Sequence, residues 1–173
     1  MRRRDFLAFL VSALGPAAYA ADDVIVDGPK ARFQDDLISR LEGNWRLTRR
    51  IRGKEARNTV SATWVLNHQF LLVQMKDVDH PPAYEALVLI GYIHASGQYV
   101  AHWCDTFGGK YSAKGTGVRS ENAVEFQFNY DDGPFFNTFT WFPEKEQWIM
   151  RLENQDKNGA RNLFAIDTLE RGS

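Results

Sequence analysis

The chain has 173 residues, of which 44% are hydrophobic and 25% are charged, and it contains one cysteine. Without the first twenty residues, which hold three arginines and one aspartate, the 21 basic and 22 acidic side chains become 18 and 21, a formal charge of −3. Phosphate binding needs an excess of Lys and Arg, so we expect no nucleic-acid partner. A lone cysteine excludes an internal disulfide, and we expect Cys104 to be buried or unreactive.

The first twenty residues have the pattern of an export signal peptide. Arg2 to Arg4 form a basic start, an apolar run extends from Phe6 to Leu14, and Ala18-Tyr19-Ala20 is a small-residue cleavage site. An Arg-Arg pair precedes a Phe-Leu pair, as in twin-arginine signals; an ordinary Sec signal is the alternative. The apolar run is shorter than the roughly 20 residues that span a bilayer, so we expect no stable membrane anchor after cleavage. The sequence therefore predicts a periplasmic or secreted protein.

The mature chain is predicted to fold as one all-β domain. Residues 21–32 are expected to form a short arm, and residues 33–171 a β-barrel domain that begins with a helix, because apolar residues recur at helical spacing from Phe33 to Leu41. Beyond that point the apolar residues alternate. Ten strands are expected, at 44–52, 59–66, 69–77, 84–94, 98–106, 112–119, 122–131, 135–143, 147–155 and 161–170. Their short connectors favour a closed antiparallel up-and-down barrel with an internal cavity.

Three motifs resemble those of the lipocalin-like (calycin) barrels, and in particular an exported bacterial group of that superfamily with no assigned activity. They are Gly43-Asn44-Trp45, Gly91-Tyr92 and the strand Tyr99-Val100-Ala101-His102-Trp103-Cys104-Asp105. The resemblance implies a barrel with an internal pocket. In lipocalins a basic residue near the last strands stacks on the Gly-x-Trp indole. Trp45 is therefore expected to close the barrel, with Arg151 or Arg171 lying over it.

The stretch from Leu87 to Thr106 is predicted to be a central β-hairpin. A two-residue turn at Ser96-Gly97 would place His94 opposite Tyr99. One sheet face would then carry Tyr92, His94, Tyr99, Trp103 and Asp105, and the other face would carry Leu87, Leu89, Ile93, Val100, His102 and Cys104. A turn longer by one residue would exchange the two faces.

The mixed aromatic and polar face is the candidate cavity wall, because ligand pockets combine aromatic surface with a few polar groups. Two inward polar residues of other strands join it. The candidate ligand-binding residues are Arg49, Tyr92, His94, Tyr99, Trp103, Asp105 and Asn137. Arg49 either extends to solvent at the rim or anchors an acidic ligand by a bidentate contact. The alternative for Tyr99 and Trp103 is ordinary core packing, with Asp105 accepting turn amides.

Three functions remain open from the sequence. The first is a carrier that binds a small hydrophobic or amphipathic molecule. The second is a cofactor-independent isomerase, lyase or hydrolase in which Asp105 acts with Tyr99 or His94 as acid and base. The third is haem binding, which is implied by the resemblance alone: related ten-stranded barrels bind haem through one axial histidine, for which His102 or His94 would serve here. The sequence contains no recognisable nucleophile or metal motif, so no catalytic residue, metal ligand or cofactor is assigned, and the oligomeric state is left open.

Overall fold

A computed structural model describes residues 31–172. The leader predicted at residues 1–20 and most of the arm predicted at residues 21–32 lie outside the described residues. The described part contains one short α-helix, α1 (Asp36–Ser39), two 3₁₀ turns (Gly109–Tyr111 and Pro143–Lys145) and ten strands. The strands are β1 (Gly43–Ile51), β2 (Lys54–Val65), β3 (Phe70–Asp77), β4 (Glu85–Ile93), β5 (Gln98–Asp105), β6 (Ala113–Arg119), β7 (Ala123–Tyr130), β8 (Gly133–Phe142), β9 (Gln147–Gln155) and β10 (Arg161–Arg171).

The ten strands form a closed antiparallel barrel, which confirms the predicted fold class. Each strand pairs with the next along the chain, and β1 pairs with β10 to complete the ring. The closing register extends from Trp45 opposite Arg171 to Ile51 opposite Ala165. Because every strand has a neighbour on both sides, the barrel leaves no open sheet edge.

Alternation along the strands determines which side chains fill the interior. In β7, Val124, Phe126 and Phe128 are buried, while the intervening Gln127 and Asn129 are exposed. The same period of two applies in β9 from Trp148 to Leu152. The apolar residues of every second position therefore meet inside the ring, and the polar ones face solvent.

Helix α1 is shorter than the predicted span from Phe33 to Leu41. The backbone N–H of Phe33 donates to the carbonyl of His68 at 3.1 Å, which holds the preceding segment in an extended conformation. The helix begins only after Asp35, whose side chain accepts from the N–H of Ile38 at 2.8 Å. The apolar positions of the pattern are nevertheless buried. Among residues 31–172, no helix has the length and apolar character needed to cross a membrane.

The β4–β5 hairpin differs from the predicted register. Its strands end at Ile93 opposite Gln98, so the loop has four residues, and Tyr92 rather than His94 lies opposite Tyr99. The hydrogen bond from the N–H of Gly97 to the carbonyl of Ile93 closes this longer loop. The predicted register is therefore wrong by two residues. A shift of two residues keeps each side chain on the same sheet face, so the side chains predicted to face inward from β5 do so.

The barrel has one closed end and one open end. At the closed end, Phe33 packs inside against the rings of Trp64, Tyr92 and Tyr99. Both ends of the described chain lie here: the carbonyl of Ala31 accepts from Gln69, and the N–H of Gly172 donates to Asn44. The connectors at the opposite end are 52–53, 78–84, 106–112, 131–132 and 156–160.

Candidate functional site

A cavity of about 470 Å³ occupies the open end of the barrel. This volume lies within the range of about 300 to 1,000 Å³ that is typical of small-molecule sites. Aromatic side chains from several strands and connectors form much of its wall, among them Tyr84, Trp103, Phe128, Tyr130, Phe135 and Phe164. The cavity is therefore suited to a compact, mainly apolar molecule.

The glycines of β6 leave room for the aromatic rings. Gly115 faces inward, and a β-carbon at this position would lie 2.7 Å from the ring of Phe128. Phe128 can therefore lie flat on the β6 backbone, where it meets Trp103 edge to face at 6.2 Å and stacks on Tyr130 at 6.3 Å. The aromatic wall thus depends on a strand whose inner face has almost no side chains.

A buried ion pair joins the first and last strands beside the cavity. Arg49 and Asp167 are cross-strand partners, and the guanidinium donates twice to the carboxylate, at 2.8 and 2.5 Å. The Asp167 side chain is fully buried. Burial raises the pKa of Asp167, and the guanidinium opposes part of that rise. Burial also acts to lower the pKa of Arg49, but the hydrogen bonds and charge of Asp167 outweigh it, and that pKa is raised.

Tyr84 links this ion pair to the carboxylate of Asp105. The guanidinium carbon of Arg49 lies 4.9 Å from the centre of the Tyr84 ring, a cation–π contact. The Tyr84 hydroxyl is 3.4 Å from Asp105 Oδ2. Burial raises the pKa of Tyr84, so its hydroxyl keeps its proton at neutral pH and can donate.

Asp105, at the end of β5, also accepts hydrogen bonds from the strand itself and from the connector that follows it. The indole Nε1–H of Trp103 donates to Oδ2 at 3.2 Å, and the backbone N–H of Phe107 donates to Oδ1 at 2.9 Å. Within residues 31–172, no Lys, Arg or His side chain forms an ion pair with this carboxylate. Burial, together with the charge of Asp105, raises the pKa of Tyr130 to about 12, so a second neutral hydroxyl lies in the wall.

Asn137 presents an unpaired polar atom in the cavity wall. The residue is 1% exposed, and its Oδ1 has no hydrogen-bond partner among the described residues. It projects inward from the middle of β8, between Phe126 and Leu152 of the neighbouring strands. A buried amide oxygen without a donor costs roughly 1 to 3 kcal/mol, so this position favours a donor supplied from outside the chain.

The predicted site residues lie at two ends of the barrel. Arg49, Trp103, Asp105 and Asn137 line the cavity. The other three, Tyr92, Tyr99 and His94, do not line it and lie at the closed end. Alternation identifies the sheet face of a residue and carries no information about its height along the strand.

At the closed end, Tyr92 and Tyr99 support the segment before α1. Tyr92 stacks on Phe33, and the Tyr99 hydroxyl donates to Asp35 Oδ2 at 2.5 Å. His94 is exposed in the β4–β5 loop, where its ring meets that of Tyr92. These contacts are structural, because they connect the helix to the rim of the barrel.

Trp45 is buried at the same end, with an arginine over its indole. The guanidinium carbon of Arg171 lies 3.9 Å from the ring centre, while Arg151 pairs with Glu153 on the outer surface. The indole N–H donates to the carbonyl of Leu41 at 2.7 Å. Of the two arginines considered from the sequence, the stacking residue is therefore Arg171.

Sequence reasoning missed several residues of the site. Asp167 is a charged residue among apolar residues on the inward face of β10, and Arg49 has the same position on β1. Two opposite charges on the inner faces of the first and last strands could have indicated this pair. Phe107 and Tyr111 lie in a connector, where alternation gives no information, whereas Tyr84 was predicted at the start of a strand and lies just before β4.

The four histidines do not fit the predicted haem site. His102 is exposed on the outer face of β5, near Phe70, and His94 is in a closed-end loop. His68 stacks on Trp64 at 3.9 Å, and His80 lies in the connector between β3 and β4. None of them lines the cavity, so none is placed as an axial ligand inside it. Over residues 31–172, no cluster of three or more His, Cys, Asp or Glu side chains is arranged to hold a metal ion.

The predicted acid–base pairs are not assembled either. Tyr99 and Asp105 lie six residues apart on one strand, about 20 Å at the usual rise per residue. His94 is farther still from Asp105 along the chain and lies at the closed end. General acid–base chemistry requires direct or water-mediated hydrogen bonding to one substrate, which this separation prevents.

A larger depression, about 910 Å³, lies on the outer surface across β1 to β5. Its lining includes outward polar side chains such as Lys76 and Glu85, which form an ion pair at 2.9 Å. Cys104 was expected to be buried or unreactive, and the first alternative is wrong: it is exposed here, because it lies on the outward face of β5. We take the interior cavity as the candidate site, since its walls are aromatic and include the unpaired oxygen of Asn137.

Comparison with known proteins agrees with the barrel. No family model matches the chain, and no curated protein does. Among solved structures, the chain is similar to the crystal structure of Rv2717c from M. tuberculosis, with a TM-score of 0.55 and 12% sequence identity. The match covers 79% of this chain and 95% of that one. At this level of identity the similarity shows the fold alone.

Proposed function

We propose that this protein binds or carries a small hydrophobic or amphipathic molecule inside its barrel. The observation that carries the proposal is the cavity of about 470 Å³ at the open end, with aromatic walls and the unpaired oxygen of Asn137. Apolar walls supply most of the affinity in such sites, and a few polar groups set the orientation of the ligand.

We further propose that the barrel belongs to the lipocalin-like (calycin) type. The Gly-x-Trp motif at the start of β1, the burial of Trp45 and the arginine stacked on its indole support this assignment. The short helix before β1 is consistent with it. We also propose that the protein acts in the periplasm or is secreted, on the basis of the signal pattern in residues 1–20.

Filling the cavity tests the proposed function. Leu152 is buried and lines the cavity, so Leu152→Trp would occupy part of its volume. We expect the neutral dye Nile red to bind the unaltered protein with increased fluorescence, and the variant to lose at least about tenfold in affinity, which corresponds to about 1.4 kcal/mol. Fluorescence titration measures both affinities.

Two further variants complete this experiment. Val118→Trp adds an indole on the outer surface, where Val118 is 76% exposed, and should leave dye binding unchanged. If Leu152→Trp does not fold, Asn154→Trp places the same bulk at the exposed rim of the cavity. Equal dye binding by the unaltered protein and a folded filled variant would refute the proposal. If the filled variant loses dye binding as expected, native mass spectrometry of protein purified from the periplasm would identify the natural ligand.

A further inference from the structure

The charges beside the cavity restrict the ligand class. Arg49 is the only cation in the inner part of the described lining, since Arg52 lies at the exposed rim. Arg49 Nε and Nη2 donate to Asp167, whose charge balances that of the guanidinium, and the guanidinium carbon lies 4.9 Å from the centre of the Tyr84 ring. An acidic ligand that reached the remaining Nη1 group would meet an ion pair with no net charge. The ion pair therefore disfavours the second alternative for Arg49, the anchor for an acidic ligand.

The carboxylate of Asp105 also disfavours an acidic ligand. It lies in the lining with three hydrogen-bond donors but no cationic partner among residues 31–172. A negative charge in a partly dry site repels an anion more strongly than it would in water. Asp132, at the rim, adds a second negative charge to the lining.

The unpaired atom of Asn137 defines what the ligand must offer. Its Oδ1 accepts hydrogen bonds and has no donor in the described chain, although the residue is 1% exposed. A site built around a buried acceptor rejects analogues that lack the matching donor. The surrounding rings favour a flat molecule, because aromatic faces stack or meet edge to face.

We infer that the ligand is a planar, uncharged compound with an O–H or N–H donor, and not a fatty acid or another carboxylate. This inference rests on the proposed binding function and specifies its ligand class. The donor would be directed to Asn137 Oδ1, and the ring system would lie between the walls formed by Trp103, Phe128 and Phe135.

Three naphthalenes of similar size test this inference by isothermal titration calorimetry at neutral pH. They are 1-naphthol, which has a donor, 1-methoxynaphthalene, which lacks it, and 1-naphthoate, which is an anion. We expect 1-naphthol to bind about fivefold tighter than the methoxy compound and at least about tenfold tighter than 1-naphthoate. Asn137→Leu should remove the advantage of 1-naphthol over the methoxy compound, and Asp105→Asn should improve 1-naphthoate binding.

Asn129→Leu is the matched control, because Asn129 is exposed on the outward face of β7 and does not line the cavity. This variant should keep the preference for 1-naphthol. Tightest binding of 1-naphthoate, or a preference that survives Asn137→Leu, would overturn the inference while leaving the proposed function intact. If Asn137→Leu does not fold, Asn137→Ser is used instead, because the shorter side chain moves the acceptor oxygen away from the ligand. Absence of binding for Nile red and all three naphthalenes would overturn both proposals.

Discussion

Arg49 and Asp167 show how one pair of residues stabilises the wall of the candidate site. The pair lies between two hydrogen-bonded strands, with the carboxylate 0% exposed and the guanidinium reaching the cavity. Burying two charges costs desolvation energy that their attraction must offset. Loss of one partner should therefore reduce the free energy of unfolding much more than loss of both.

Replacing the arginine alone should be the most damaging change at this site. Arg49→Met leaves Asp167 buried without a cation, and we expect the free energy of unfolding to fall by about 3 to 5 kcal/mol. The double variant Arg49→Met, Asp167→Leu should return to within about 1 kcal/mol of the unaltered protein, since it buries no charge. Urea denaturation, monitored by tryptophan fluorescence, measures the free energy of unfolding of the unaltered protein, the single variant and the double variant. A double variant no more stable than Arg49→Met would contradict this account.

The stability lost in Arg49→Met should depend on pH. Burial already raises the pKa of Asp167 above its ordinary value of 3.8, and removing Arg49 removes the opposing influence. A carboxyl group whose pKa is raised on folding stabilises the folded state below the unfolded pKa and loses that contribution as the pH rises through the folded pKa. The deficit of Arg49→Met should thus be greatest at neutral pH and shrink as the pH falls toward 3.8.

The sequence was sufficient to identify individual residues of the site, but not the residues that they contact. Arg49 and Asn137 were recognised because a polar residue interrupts an apolar face. The partner of Arg49 lies 118 positions away, and its identity depends on which strands close the ring. Distant pairings of this kind follow from topology and register, which one strand pattern does not contain.

At the scale of elements, β6 and β7 act as a unit. The inner face of β6 carries Gly115 and Gly117, and the rings of Phe128 and Phe126 cover their backbone. An aromatic ring across from a glycine compensates for the missing side chain and excludes water from the backbone. The position of the cavity wall consequently depends on the absence of a single methyl group.

Adding that methyl group should disturb both stability and binding. In Gly115→Ala the new β-carbon would lie 2.7 Å from the Phe128 ring, which must move into the cavity. We expect a loss of about 1 to 3 kcal/mol in the free energy of unfolding, with weaker Nile red binding. Urea denaturation and dye titration measure the two effects.

Another glycine provides the control for this substitution. A β-carbon on Gly109, in the connector after β5, would meet no atom within 4 Å, so Gly109→Ala should change neither measurement. Adding Phe128→Leu to Gly115→Ala should recover part of the lost stability by making space. A loss of stability in Gly109→Ala as large as that in Gly115→Ala would show that steric contact is not the cause.

The elements themselves were largely predictable, because nearly every strand alternates apolar and polar residues. The β4–β5 loop was not, since both a two-residue and a four-residue loop contain the Ser96-Gly97 pair. Helix α1 was overestimated because burial of Phe33 arises from an extended segment hydrogen-bonded to His68, and apolar spacing does not distinguish that segment from a helix. Register and local backbone partners account for both differences.

For the whole molecule, closure and cysteine content bear on the proposed export route. The ring is completed by pairing of β1 with β10, so it forms only once the last strand has been made. The described barrel also contains no disulfide, as its one cysteine is free. A domain that folds in this way needs no oxidising compartment, which is compatible with transport of an already folded protein.

Replacing the twin arginines tests this route. Arg3→Lys combined with Arg4→Lys should leave the full-length chain in the cytoplasm, whereas the unaltered protein should be found outside it with a mass that begins at Ala21. Cell fractionation and intact-mass measurement distinguish the two results. Arg2→Lys, one residue before the pair, is the matched control and should be exported normally. Continued export of the double lysine variant would favour the Sec route.

The positions of the first and last described residues have a practical consequence. Ala31 and Gly172 both lie beside the helix-capped end, on the opposite side of the barrel from the opening. A fluorescent protein fused beyond Gly172, or a tether to a sensor chip at that point, would leave access to the interior unobstructed. An immobilised layer would then present its openings to the solution, ready for screening of compound libraries.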